Sequence, residues 1–127
     1  MEERRRISSS SPFEATIGFS RAIRVGDRVM VSGTAPIWPD GTCPDDAGAQ
    51  ARRCLEIIAE ALRLAGSGTA DVVRTRMFLT DVRDHEAVGA VHGEFFGDIR
   101  PAATMVGVSA LLDPRWRVEI EAEALVG

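Results

Sequence analysis

Residues 115–124 read Arg-Trp-Arg-Val-Glu-Ile-Glu-Ala-Glu-Ala. A period of two puts Arg117, Glu119, Glu121 and Glu123 on one face and Val118, Ile120, Ala122 and Ala124 on the other, which predicts a strand with one apolar side and one charged side. Burying three aligned carboxylates unmatched would be costly, so they must be solvated, paired or used in chemistry. Working backward, residues 111–114 make a turn and residues 102–109 read as a further strand carrying small side chains. Pro101 ends whatever precedes it. That is a helix running to Phe96, with Asp84 as N-cap, Glu86 in the first turn, Val88, Val91 and Phe95 as the apolar stripe, and Gly97 as terminator.

Residues 71–80 alternate again, with Val73, Thr75, Met77 and Leu79 on one side and Val72, Arg74, Arg76 and Phe78 on the other. Between 47 and 65 the period is helical. Ala51, Cys54, Leu55, Ile58, Leu62 and Ala65 form a stripe opposite Arg52, Glu56, Glu60 and Arg63, and Gly66 is placed for a left-handed cap. Residues 36–46 hold Pro36, Pro39, Gly41 and Pro44 around Trp38 and read as an irregular loop. Residues 21–25 and 28–32 are short β-branched runs joined by Gly26-Asp27, the composition of a type II′ hairpin turn. Residues 1–12 are expected to be frayed or to form an edge strand, with Arg4, Arg5 and Arg6 in no binding patch.

The order β-β-α-β-α-β-β predicts an α+β fold with one mixed sheet, because each helical crossover returns the next strand parallel. The right-handed rule then puts both helices on one face. The other face carries Arg74, Arg76, Phe78, Glu119 and Glu121, a mixture too apolar to stay bare. Closed symmetric self-association, with small-molecule sites at the subunit seams, is the expected way to cover it.

Composition agrees with one domain over residues 1–127: 45% of the chain is hydrophobic and 27% charged. A formal charge of -4 argues against nucleic-acid and anionic-membrane partners, which require clustered Lys and Arg. No apolar run has the length of a signal peptide or a membrane span, so a cytoplasmic protein is expected. Cys43 and Cys54 lack a Cys-x-x-Cys pair or a His at ligand spacing, and are expected to be free thiols with no metal. His92 is expected at the edge of the core with a hydrogen-bond partner, His85 in solvent, and Trp38 and Trp116 in packing.

Four segments together resemble the Rid family, also called YjgF-like or endoribonuclease L-PSP-like proteins. They are Ile17-Gly18-Phe19-Ser20-Arg21-Ala22, Val31-Ser32-Gly33-Thr34-Ala35-Pro36, Phe95-Phe96 followed by Arg100-Pro101-Ala102, and Val118-Glu119-Ile120-Glu121-Ala122. The resemblance spans nearly the whole chain. It implies a chorismate-mutase-like fold, a homotrimer with three clefts at its subunit interfaces, and hydrolysis of reactive imines and enamines to a carbonyl product and ammonia without a cofactor. That chemistry asks for a cation to grip a substrate carboxylate and a carboxyl group to handle water and protons. The resemblance assigns the second role to Glu119.

The first role has no direct heir. The family's carboxylate-binding Arg falls in Pro101-Ala102-Ala103-Thr104 at Ala103, which implies a divergent subgroup. A usual Tyr is Phe19 and a frequent Asn is Gly89, while Met105 continues the apolar lining. Ser32 and Gly33 are expected to bring backbone close to a ligand. Arg76 and Arg100 are the candidate replacement cations. Arg76 is preferred because strand side chains are better positioned than loop ones, and its alternative role is an ion pair with Glu119 or Glu121. The expected function is imine or enamine hydrolysis in an altered pocket. The alternatives are a trimeric binding or regulatory protein without chemistry and, least in keeping with the charge, a ribonuclease.

Overall fold

The computed structural model describes residues 3–9 and 11–127. In chain order the elements are β1 (Arg4–Ile7), β2 (Ala22–Val25), β3 (Arg28–Thr34), α1 (Ala47–Leu64), β4 (Val72–Leu79), α2 (His85–Phe96), β5 (Ala102–Gly107) and β6 (Val118–Leu125). The strands form a single sheet in the order β1-β2-β3-β6-β4-β5. Its last strand in sequence is therefore inserted near the middle, antiparallel to both β3 and β4. The β6 alternation is as the sequence predicts: Val118, Ile120, Ala122 and Ala124 are buried, and the three glutamates between them are half-buried on the other face. Burying a Val or Ile side chain contributes roughly 1.5–3 kcal/mol, enough to fix this register against a one-residue slip.

The first hairpin also forms as its turn residues dictate. Val25 pairs with Arg28, and Gly26 has φ 63°, the positive value that the first central position of a II′ turn needs. Residues 4–7 are an edge strand, not a frayed end: β1 pairs antiparallel with β2, and Arg5 Nη2 donates to the Leu64 carbonyl at 3.0 Å. Residues 1, 2 and 10 lie outside the described residues.

Helix α1 is capped at both ends by its own sequence. The Asp46 carboxylate accepts from Ala49 N–H at 3.0 Å. At the other end Gly66 adopts φ 79°, while Ser67 N–H and Gly66 N–H reach the Leu62 and Arg63 carbonyls, a Schellman closure. Its stripe of Ala51, Cys54, Leu55, Ile58, Leu62 and Ala65 is buried. The crossovers through α1 and α2 return parallel strands, and the helices pack together on one face of the sheet.

Three local expectations are corrected. Asp84 makes no side-chain cap to α2; its carboxylate pairs with Arg117 at 3.1 Å instead, and Asp81 caps the preceding turn Val82–Asp84 by accepting from Arg83 N–H. Gly97 stays right-handed after α2, and the left-handed residue is Arg100, at φ 55°. In β4 the pairing with β6 skips Val73, since Val72 faces Ala124 and Arg74 faces Glu123. This bulge turns Val72 into the core and Val73 out to solvent, while Arg74, Arg76 and Phe78 keep the face opposite the helices. No helix among the described residues is long and apolar enough to cross a membrane.

Candidate functional site

Glu119 lies where β6 meets the irregular end of β3, whose register with β6 shifts between Val31 and Thr34. The glutamates of β6 face different partners on β4: Glu123 is opposite Arg74, Glu121 opposite Arg76, and Glu119 opposite Phe78. Glu119 thus has no cation across the strand. Its carboxylate rests instead against Gly33, where an added Cβ would run into Oε2 and sit 3.3 Å from Cδ. The φ of Gly33 is not in the left-handed region, so space is what this position demands. The neighbouring Ser32 hydroxyl donates to the Ser20 carbonyl at 2.7 Å, which ties the hairpin to the segment carrying Phe19.

Glu119, Gly33, Ser32 and Phe19 line one cavity of about 350 Å³. Phe13, Ile17, Leu112 and Trp116 give it apolar walls, and Arg21 is its cation. Burial pushes the Glu119 carboxyl above its ordinary value, Arg21 pulls it back in part, and Glu121 adds to the rise. Arg21 is only 6% exposed. Its Nη2 donates to the Gly33 carbonyl and its guanidinium carbon lies 5.7 Å from the Phe19 ring centre. Burial lowers its proton affinity, and Glu14 and then Glu119 offset this through space. The arrangement joins a desolvated carboxyl, suited to exchanging protons, to a buried cation within an aromatic enclosure.

Comparison with known proteins places this geometry. The family model described as Endoribonuclease L-PSP matches residues 9–126. The chain belongs to this YjgF/Rid family. A crystal structure of a YjgF/YER057c/UK114 member from Mycobacterium tuberculosis matches this YjgF/Rid chain with a TM-score of 0.90 at 47% identity, covering 98% of this chain and 100% of that one. An uncharacterized protein of Streptomyces coelicolor is 39% identical over 124 residues, 97% of this chain and 92% of its own. The 2-iminobutanoate/2-iminopropanoate deaminase of Escherichia coli is 34% identical over 116 residues, 87% of this chain and 90% of its own.

Of the site residues read from the sequence of this YjgF/Rid protein, Glu119, Phe19, Ser32 and Gly33 come together. The other five lie elsewhere. Arg76 is held by Glu121 at 2.9 Å and Glu123 at 3.4 Å, the ion-pair role set against its substrate role, and it does not line the Glu119 cavity. Arg100 is exposed beyond the end of α2. Ala103 and Met105 sit opposite Thr75 and Met77 in the parallel β4–β5 pairing, on the helix side of the sheet. There the Met105 methyl is 4.0 Å from where a Cβ would stand on Gly89. These three residues form a second group along α2 and the open edge strand β5.

His92 is half-buried and its Nε2 is 2.8 Å from Thr75 Oγ1; burial lowers its pKa. That is the hydrogen-bonded edge-of-core role expected of it. Cys43 and Cys54 are free. No group of three or more His, Cys, Asp and Glu among the described residues is placed to hold a metal.

Arg21, Phe13, Ile17, Leu112 and Trp116 escape a reading of single segments, and Trp116 is a cavity wall as well as a packing residue. A signal for Arg21 does exist. Counting back from the two-residue turn puts Ala22 opposite Val31 and Arg21 next to Ser32, whose N–H donates to the Arg21 carbonyl at 3.0 Å.

Proposed function

We propose that this protein hydrolyses small imines, or the enamines that tautomerise to them, in the Glu119 cavity. The observation that carries the reading is the Glu119 carboxyl itself: desolvated, raised above its ordinary value and without a salt-bridge partner among the described residues. A carboxyl shifted upward is better matched to proton transfer near neutral pH than an exposed one. Glu119 takes a proton from water as the water oxygen adds to the carbon of the protonated imine, giving a neutral carbinolamine. It returns the proton to nitrogen as the carbon–nitrogen bond breaks, and the hydroxyl proton passes to the departing ammonia, leaving a carbonyl group and an ammonium ion. One water is consumed and no cofactor is required. The name of the Escherichia coli relative, a deaminase of 2-iminobutanoate and 2-iminopropanoate, supports the same substrate class here.

The reading includes a homotrimer with its ligand sites at the seams, in the cytoplasm. Two features support the assembly. The sheet face opposite the helices carries Phe78 and the charged rows of β4 and β6, and Gly89, Ala103 and Met105 lie apart from the Glu119 cavity along the edge strand β5. Sedimentation equilibrium reads the assembly directly, and a mass of one chain would refute it.

The catalytic reading is tested by generating 2-iminobutanoate with an amino-acid oxidase and following its loss. Wild type should accelerate the loss and Glu119→Gln should remove about 10²–10⁴-fold of that acceleration. One observation favours the rival reading of a binding protein without chemistry: Ala103 offers no charge where the family resemblance looks for an Arg. An inert wild type that still binds the keto-acid product would select it. A ribonuclease reading gains nothing from a chain with a formal charge of -4.

A further inference from the structure

Arg21 is the most enclosed charge among the described residues. Its guanidinium stands between two cavities, the Glu119 cavity and a neighbouring one of about 290 Å³ bordered by Ile57, Leu64 and the acidic side chains Glu56 and Glu60. A guanidinium has five N–H donors. Among the described residues this one uses a single side-chain bond, to the Gly33 carbonyl, and its Nε is buried with no partner. The acids that influence it, Glu14 and Glu119, act at a distance, since neither forms an ion pair with it. A buried cation with idle donors and no counter-ion in contact is costly unless something else completes it. Holding the Gly33 carbonyl would need only a neutral amide, so that bond does not account for a charge.

We propose that Arg21 is the anion-binding residue of the Glu119 cavity and takes the carboxylate of a small substrate. The other cations weighed for that task are accounted for, Arg76 by Glu121 and Glu123 and Arg100 by its exposed position past α2. The ligand that fits is a monocarboxylate whose reacting planar carbon adjoins the carboxyl group. Its anion meets Arg21, the next carbon comes beside Glu119, and its apolar substituent meets Ile17 and Leu112. The orientation rests on the catalytic reading of Glu119 given above, whereas the capture of the anion stands without it. Since Phe19 packs against the same guanidinium, anion, cation and ring form a stack that Lys would reproduce only in part.

Calorimetric titration with 2-oxobutanoate, its neutral amide 2-oxobutanamide and inorganic phosphate tests the assignment on wild type, Arg21→Gln, Arg21→Lys and Arg76→Gln. Arg21→Gln should weaken 2-oxobutanoate at least tenfold and Arg21→Lys by an intermediate factor. Arg76→Gln should leave it unchanged, and the neutral amide should not distinguish wild type from Arg21→Gln. Equal affinity for 2-oxobutanoate in wild type and folded Arg21→Gln would overturn the proposal, as would an absence of saturable binding in wild type. Phosphate binding as tightly as 2-oxobutanoate would overturn the carboxylate assignment in favour of a site for inorganic anions. If Arg21→Gln does not fold, the Nε–H resonance of Arg21 in wild type carries the test: it should move with 2-oxobutanoate and not with the amide, and an unmoved resonance refutes the anchor. Anion binding through Arg21 without imine hydrolysis would remove the catalytic reading and keep the anchor. Hydrolysis with the same KM in wild type and Arg21→Gln would do the reverse.

Discussion

Replacing Gly33 by alanine is expected to reduce activity while sparing the fold. The new methyl group would overlap Glu119 Oε2 and stand 3.3 Å from Cδ, so the carboxylate has to swing away by roughly 1 Å to restore ordinary contact. A displacement of that size in a reacting group costs about 10²-fold in rate, or about 2.7 kcal/mol of barrier. The penalty on stability is smaller, because what must move is the far end of a flexible side chain. An off-rotamer adjustment costs about 0.5–1.5 kcal/mol, and alanine recovers about 0.4–1 kcal/mol by restricting the unfolded chain.

The assay is kcat/KM for 2-iminobutanoate hydrolysis alongside a thermal melt, for Gly33→Ala, Glu119→Ala and the double variant. Glu119→Ala has no carboxylate to displace, so adding Gly33→Ala to it should change nothing further, and the double-mutant cycle should show nearly complete coupling. Two results refute the reasoning. Gly33→Ala with full activity would mean that the position of the Glu119 carboxylate is irrelevant to the chemistry. A second, additive loss in the double variant would mean that Gly33 acts through something other than Glu119.

Two further outcomes follow from local physics. Arg100 is the one non-glycine with a left-handed backbone among the described residues; Arg100→Gly relieves that strain and should stabilise by about 0.5–1 kcal/mol net of glycine's entropy, raising Tm by about 2–4 °C, and an unchanged or lower Tm would contradict it. For Glu119 the sign follows from its raised proton affinity in the folded state. The native protein binds this proton more tightly than the unfolded chain, so this group's contribution is fully present below its ordinary pKa of 4.5 and declines as pH rises to the higher folded value. Urea melts of wild type and Glu119→Gln between about pH 4 and about pH 8 should therefore show the variant gaining relative stability as pH rises; a relative loss would reverse the assignment.

What the sequence makes legible is what neighbouring residues decide among themselves. The β6 alternation, the Gly26-Asp27 hairpin, and the stripe and left-handed cap of α1 all appear as read, because pleat, turn and helical period are local properties. The misreadings share a cause of another kind. Asp81 and Asp84 stand three positions apart, and which of them caps depends on Arg117, which arrives from the far end of the chain to claim Asp84. The phase of β4 slips at Val73 because β6 pairs past it. Arg21 reads as an ordinary strand residue until the segment carrying Phe13, Ile17 and Phe19 closes over it.

The same dependence on distant pairing divides the acidic row that makes the site. Along β6 the three glutamates are equivalent in sequence, separated by single apolar residues. On β4 the residues that share their face run Arg74, Arg76, Phe78. Antiparallel pairing sets the first against Glu123, the second against Glu121 and the third against Glu119. Arg76 consequently neutralises Glu121 and Glu123 together, and these acids become structural. Glu119 faces an aromatic ring across the strand and a glycine beside it, so it is desolvated without being paired. A carboxylate left in that state is expensive to keep. Its neighbour Arg21 is more enclosed still and, among the described residues, also has no counter-ion in contact. Two charges of opposite sign that border one apolar cavity and offset each other only in part, through space, are poor structural elements. They are well suited to receive a molecule that carries its own anion beside a polar reacting carbon.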